Sequence, residues 1–241
     1  MGSILATELY QNSSAANHKL GEKYEDKWGR IFRYVQAGGS DLVTGNLLQE
    51  AVEATNFRSM NVAAAAAIGS TAITVDLGGT AVTANQFESG DLIVESSTGI
   101  GQNFKIVSHD VQTSTTGECT FNVDRPVAIA LVLDTSQVSV RKNSYDGVIQ
   151  YPITTQTGAA VGVAIVVISL TNFGWIQSSG DVSVLQDDGT NTSNGLTALV
   201  PSASVAGSVK LSAANGANVI GFSREIVNVD STHGFAHLTI D

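Results

Sequence analysis

The sequence predicts a mainly β protein, with antiparallel sandwich- or barrel-like domains and an extended N-terminal arm. Three observations carry this expectation. The 241-residue chain holds 25 Ser, 22 Thr and 24 Gly but only 3 Pro, and 14% of it is charged. Its surface is therefore made polar by hydroxyls, and Thr and Val suit a pleated sheet better than Lys and Glu do. Short apolar runs recur at roughly ten-residue spacing with turn residues between them, the signature of a sandwich or barrel. No long stretch carries the 3.6-residue period of an amphipathic helix.

Residues 1–27 show no sustained period and read as an arm, with a helical turn near Leu20 to Lys27. The apolar Ile4, Leu5, Leu9 and Tyr10 in this arm need a partner. They either dock on a neighbouring subunit or fold back on their own domain. Arg30 to Gln36 is a strand that stops at Gly38-Gly39, and Gly45 to Gln49 begins another. The run Ala63 to Ala67 has helical propensity, but it lies between Val62 and Gly69 and leads into the strand Thr71–Leu77. It is expected to be a strand entry or a single turn. Further strands follow at Ala81–Thr83, Asp91–Glu95, Asn103–Ser108, Cys119–Val123 and Val138–Arg141. Val161–Leu170, Gly174–Gln177, Asp181–Leu185, Ser208–Ser212, Val219–Val227 and Phe235–Ile240 continue the pattern.

The net charge is −10, which repels nucleic acid and anionic lipid at long range. The charge is uneven. Residues 1–58 carry six basic and seven acidic side chains, and the remainder carries six and fifteen, so the two parts are expected to serve separate roles. The longest apolar run, Ala159 to Ile168, is too short to span a bilayer. No positive stretch followed by an apolar core marks a secretory signal. A single cysteine, Cys119, excludes an internal disulfide framework and a Cys-rich zinc site.

Titratable groups that could converge for catalysis are scarce. His233 and His237 have a helical ligand spacing, but along a strand they stand about 13 Å apart, and His233 reads as part of a turn, Ser231 to Gly234. Asp187-Asp188-Gly189-Thr190-Asn191 lacks the alternating carboxylates and closing Glu of a calcium loop. Gly99-Ile100-Gly101 is too short for a dinucleotide fingerprint. No Gly-x-Ser-x-Gly elbow singles out a serine. Phe173 to Gln177 is read as a core strand with a buried Trp175, and as a sugar-stacking platform only in an adhesin, where the loop 186–195 would assist. No catalytic residue, cofactor or metal is expected.

Four segments occur in an order that resembles a known family. They are Trp28-Gly29-Arg30-Ile31-Phe32-Arg33-Tyr34-Val35-Gln36-Ala37-Gly38-Gly39, which is similar to a G-R-x-F-R-Y opening; Gly90 to Val94 with Gly99 to Ile106; Asn143 to Gln150; and Gly162-Val163-Ala164 leading to Phe173 through Gly180. Together they resemble the capsid decoration, or cement, proteins of tailed bacteriophages. The resemblance implies a non-enzymatic β-protein on the outer face of an icosahedral shell in the virion, assembled in the host cytoplasm. Its partners would be the major capsid protein and further copies of itself, commonly as a trimer. It also implies an inserted β-module over 59–142 within a second domain made from 28–58 and 143–241. On this reading Ile4, Leu5, Leu9, Tyr10, Lys19, Lys23 and Trp28 meet the shell. A glycan- or receptor-binding adhesin is the alternative.

Overall fold

The structure is a computed structural model describing residues 4, 6–187, 197–212, 218–225 and 231–241. The chain divides into two compact units: unit 1 is Met1–Val52 with Ser144–Asp241, and unit 2 is Glu53–Asn143. After a 3₁₀ turn, Glu8–Tyr10, unit 1 begins with β1 (Lys23–Glu25), β2 (Ile31–Ala37) and β3 (Leu47–Gln49). Unit 2 contributes β4 (Met60–Asn61), β5 (Ala72–Asp76), β6 (Asp91–Ser96), β7 (Asn103–His109), β8 (Glu118–Val123) and β9 (Gln137–Arg141). The chain returns to unit 1 through β10 (Asp146–Gln150), β11 (Ala160–Ala164), β12 (Phe173–Leu185), β13 (Ala198–Pro201), β14 (Val209–Leu211), β15 (Gly221–Ser223) and β16 (His233–Thr239). The protein is mainly β and barrel-like.

Unit 2 closes on itself. Its strands run in the order β4-β9-β6-β7-β8-β5, and a bridge from Val62 to Val75 joins the two ends. Strict alternation decides the inside. In β8, Cys119, Phe121 and Val123 are buried while Glu118, Thr120 and Asn122 face water. Phe57, Ile73, Leu92, Phe104 and Val138 fill the same core. Closure leaves no edge on which a second sheet could grow.

Unit 1 closes twice. The first ring is β2-β10-β3-β11-β12, sealed by β12 pairing back onto β2; its β2–β10 contact is parallel. Val35, Leu42, Leu48, Val148, Val161 and Ile176 form its core. The second ring is β12-β16-β15-β13-β14, sealed by a bridge from Gln186 to Val209. Val182, Val184, Leu199, Val209 and Leu238 fill it, together with Leu47 and Val163. Successive strand residues face opposite ways, so Leu47 and Leu48 of β3, and Val163 and Ala164 of β11, supply side chains to both cores.

β12 belongs to both rings. The sequence reads as two strands because Ser178-Ser179-Gly180 looks like a turn, yet the strand is continuous for 13 residues. Gly180 permits this. It sits at φ +87°, and an added Cβ would lie 3.0 Å from Arg30 Cγ. A side chain there meets both backbone strain and crowding. Two shorter differences follow from the same neighbours. Residues near Leu20 to Lys27 form β1 rather than a helical turn, because Gly21 N–H and Glu22 C=O pair with Tyr34. Val161–Leu170 is strand only to Ala164, and the chain then leaves the sheet.

Residues 4 and 6–27 do not stand apart as an arm. The outer faces of β2 and β12 present Phe32, Tyr34 and Trp175, and Leu9 completes that cluster with Ile4, Leu20 and Tyr24 packed around it. Backbone bonds fasten the segment: Ser13 pairs both ways with Phe173 at 3.0 and 2.7 Å. The Asn12 side chain reaches Ser169 and Asn172. His18 bonds Glu8 at 2.5 Å and meets the rings of Tyr34 and Trp175 edge-on at 5.1 Å. Of the two readings open for the apolar residues, folding back holds for Ile4 and Leu9.

The C-terminal carboxylate side chain is tied into the same sheet. Arg33 donates two parallel bonds to Asp241, at 2.7 and 2.8 Å, and Ser178 adds a third at 2.8 Å. These bonds, Arg33 first, hold the Asp241 carboxyl below its usual value against the opposing pull of burial. A carboxyl lowered in the folded state stabilises fully above its unfolded value, near 3.8, and that contribution is lost as pH falls through the folded value. Urea midpoints measured from pH 6 downward should therefore fall below about pH 4 more steeply in the parent than in Asp241→Asn. Equal slopes would show that the bridge contributes nothing.

Candidate functional site

The candidate site is the turn between β1 and β2. Asp26 opens it in the way a turn-starting Asp does. Its Oδ1 accepts the N–H groups of Trp28 at 2.9 Å and Arg30 at 3.0 Å, and its Oδ2 accepts Arg30 Nε at 2.7 Å. Asp26 and Arg30 also pair through the backbone, and Gly29 supplies the positive φ of +80° that lets the chain reverse. Burial pushes the Asp26 carboxyl up, but the bonds from Arg30 and Trp28 outweigh it and hold the carboxyl below its usual value. It is an anion at neutral pH, and the turn is rigid.

This frame carries Trp28 outward. The indole is 73% exposed. Lys27 Nζ lies 4.2 Å from the ring centroid and the Arg30 guanidinium 5.8 Å away. A solvated cation–π contact is worth only about 0.5–1 kcal/mol, so it orients the ring without hiding it. Trp, Lys and Arg together on a fixed turn form a small apolar and cationic knob on a chain of net charge −10.

The other residues expected at a contact separate into three groups. Tyr10 is 57% exposed, and Lys19 and Lys23 are exposed, Lys23 within 3.4 Å of Glu25. Leu9 is buried and Ile4 is partly buried against the same cluster, so neither is free to cross to a partner. Leu5 lies outside the described residues. The sequence boundary drawn at residue 27 cuts this turn in half. The signal that defines it, Asp26 three positions before Gly29, is short and common.

Trp175 is 1% exposed, so the sugar platform sketched for an adhesin is closed off by the N-terminal segment. Most of its companion loop, residues 188–195, lies outside the described residues, as does most of the Asp187–Asn191 motif. His233 and His237 both lie in β16, not in a turn. His233 Nε2 approaches Thr44 C=O at 3.3 Å, whereas His237 Nδ1 bonds Asp181 at 2.7 Å. Among the described residues no group of three or more His, Cys, Asp or Glu is placed to hold a metal.

One Cys–His pair sits inside unit 2. Cys119 Sγ is 3.9 Å from His109 Nδ1. His109 Nε2 accepts the Phe87 N–H at 3.1 Å, which leaves the proton on Nδ1 for Asp110 C=O at 3.0 Å. Neither nitrogen is open to take the thiol proton. Burial also pushes the Cys119 thiol up to about 11, with Asp110 adding to the rise. The thiolate, which is the nucleophile, is therefore scarce at neutral pH. Both residues are buried in unit 2.

Comparison with family models, with curated proteins and with solved structures finds no match to this chain. No helix among the described residues is long and apolar enough to cross a membrane.

Proposed function

We propose that the protein is a non-enzymatic structural component of a virion. It binds the outer surface of an icosahedral phage shell and braces adjacent capsomers. The observation that carries this reading is the Trp28 knob: a large apolar ring, 73% exposed, on a turn that Asp26 makes rigid. A preorganised aromatic loses little freedom on docking, and Trp with Arg is the commonest hot-spot chemistry. The resemblance of four ordered segments between residues 28 and 180 to decoration proteins supports the same role. Closed barrels fit it as well, since a shell coat must not add strands to its neighbours.

Contact is assigned to Trp28, Lys27 and Arg30, with Tyr10, Lys19 and Lys23 as further candidates. Repetition over many shell sites lets each contact be weak. The test mixes the full chain with undecorated shells of major capsid protein and pellets them. Binding at fixed stoichiometry, weakened about thirtyfold or more by Trp28→Ala, is expected. No co-pelleting would end the reading, and full binding by Trp28→Ala would remove the knob from it.

A glycan- or receptor-binding adhesin is the second reading, favoured by one surface. Phe222 and Phe235 are 37% and 47% exposed on the outer faces of β15 and β16, beside His237, Asp181 and Arg224. Aromatic faces next to a polar cluster suit a sugar. Glycan-array binding lost in Phe235→Ala would shift the assignment to it.

A further inference from the structure

The N-terminal segment is fastened over β2 and β12 by a histidine whose two ring nitrogens both meet carboxylates. His18 Nε2 lies 2.5 Å from Glu8 Oε1, and Nδ1 lies 3.4 Å from Glu22 Oε2. Glu8 belongs to the 3₁₀ turn and Glu22 immediately precedes β1. The contact to Glu8 spans ten positions of chain. Within that span lie Leu9, Asn12 and Ser13, the residues that seat the segment on the sheet.

This arrangement selects one protonation state. A neutral imidazole has one donor nitrogen and one acceptor, whereas an imidazolium donates from both, and an ionised carboxylate only accepts. Only the charged ring therefore satisfies Glu8 and Glu22 together. The neutral ring leaves one carboxylate facing a lone pair, and with 20% of the side chain exposed water reaches the gap only in part. The other groups around the ring do not change charge in the same range. Tyr34 of β2 and Trp175 of β12 have their rings 5.1 Å from it, and an indole does not titrate. Burial pushes the Tyr34 hydroxyl above its ordinary 10.0 against the Asn17 N–H, and Glu8 adds to the rise, so it stays neutral. Lys19 is exposed and gives Glu22 its backbone N–H at 3.3 Å. Arg33 is taken up by Asp241.

We infer that His18 is a pH-sensitive latch, closed when its ring is protonated, on the N-terminal strap that covers Phe32, Tyr34 and Trp175. Histidine is the side chain whose charge ordinarily changes between pH 5 and 8. Protonation favours the closed strap, so the strap opens more readily as pH rises. The latch acts on local opening rather than on the whole fold, because β2 and β12 remain paired with each other beneath it. Such segments open at free energies below that of global unfolding. What the latch controls is access to the aromatic face under the strap, whichever partner the Trp28 turn meets.

The test is amide hydrogen exchange on the full chain at pH 5.5 and pH 8.0, corrected for the intrinsic exchange rate. The Ser13 and Phe173 amides bond each other's carbonyls across the strap and report its opening. Their protection should fall about fivefold or more at the higher pH, the difference between a charge-assisted bond and a neutral one. Amides of β8 in unit 2 should keep their protection. His18→Gln keeps a donor but carries no charge at either pH, and its two values should be equal. Glu8→Gln should shrink the fall, leaving only the Glu22 contact. In a Trp28→Phe background, acrylamide should quench Trp175 more strongly at pH 8.0. Equal protection in the parent at both pH values overturns the inference, as does a fall that persists in His18→Gln. Should His18→Gln lose its folded circular dichroism, an undiminished fall in Glu8→Gln overturns it instead. Shell binding enters none of these readings, so failure of the latch and failure of the shell reading are seen separately.

Discussion

Leu9→Ala is expected to lower the unfolding free energy by about 2–4 kcal/mol, measured by urea denaturation in a Trp28→Phe background so that Trp175 alone reports. Leu9 is 6% exposed and closes a cluster in which Phe32, Tyr34 and Trp175 are 2%, 3% and 1% exposed. Truncation leaves a cavity beneath residues that Ser13, Asn12 and His18 hold in place, so the site cannot collapse to fill it. Deleting residues 1–20 should cost more, because it uncovers the outer face of β2 and β12. Trp175 emission should then shift to the red in native buffer. A Leu9→Ala change within about 0.5 kcal/mol of the parent, the range of surface substitutions, would show that the segment is not part of the core.

Phe121→Ala should produce a comparable or larger loss, about 3–5 kcal/mol, from the core of unit 2. Phe121 is fully buried. It stands edge-on to Phe87 at 6.2 Å and 4.9 Å from the His109 ring, and Phe87 in turn meets Phe57 at 4.7 Å. One truncation removes a partner from two rings, Phe87 and His109. His109→Phe separates packing from hydrogen bonding. It preserves much of the volume but strands the Phe87 N–H, for a further cost of about 1–3 kcal/mol. Calorimetry on each variant reads both values. A Phe121→Ala loss below about 1 kcal/mol would mean that the barrel closes without this cluster.

The parts of the fold that were legible in the sequence are those whose burial is one-sided. β8 alternates strictly, and so does β16, because each faces a core on one side and water on the other. Strands buried on both faces lose that alternation. β3 is buried throughout and reads as an apolar fragment, while β11 is mistaken for a longer run. β1, β4 and β10 are too short or too polar to signal anything alone, and they exist because a neighbour offers unpaired backbone groups. The candidate site was legible only in part. Trp28 was singled out, but Asp26, which fixes its direction, was not.

Side-chain composition and local pattern set the chemistry of the surface and the type of element: hydroxyl-rich, acidic, β, with turns where Gly and Asp stand. These properties are local and follow from side-chain shape and charge. Long-range packing is what closes the sheets, lets β12 serve two barrels through Gly180, and turns Ile4 and Leu9 inward while Trp28 faces water. Those outcomes depend on which backbone edges and apolar faces meet across more than a hundred residues of chain, as Ser13 meets Phe173. An apolar side chain is driven out of water without regard to direction, and it is the position of its neighbours that selects between a core and a contact.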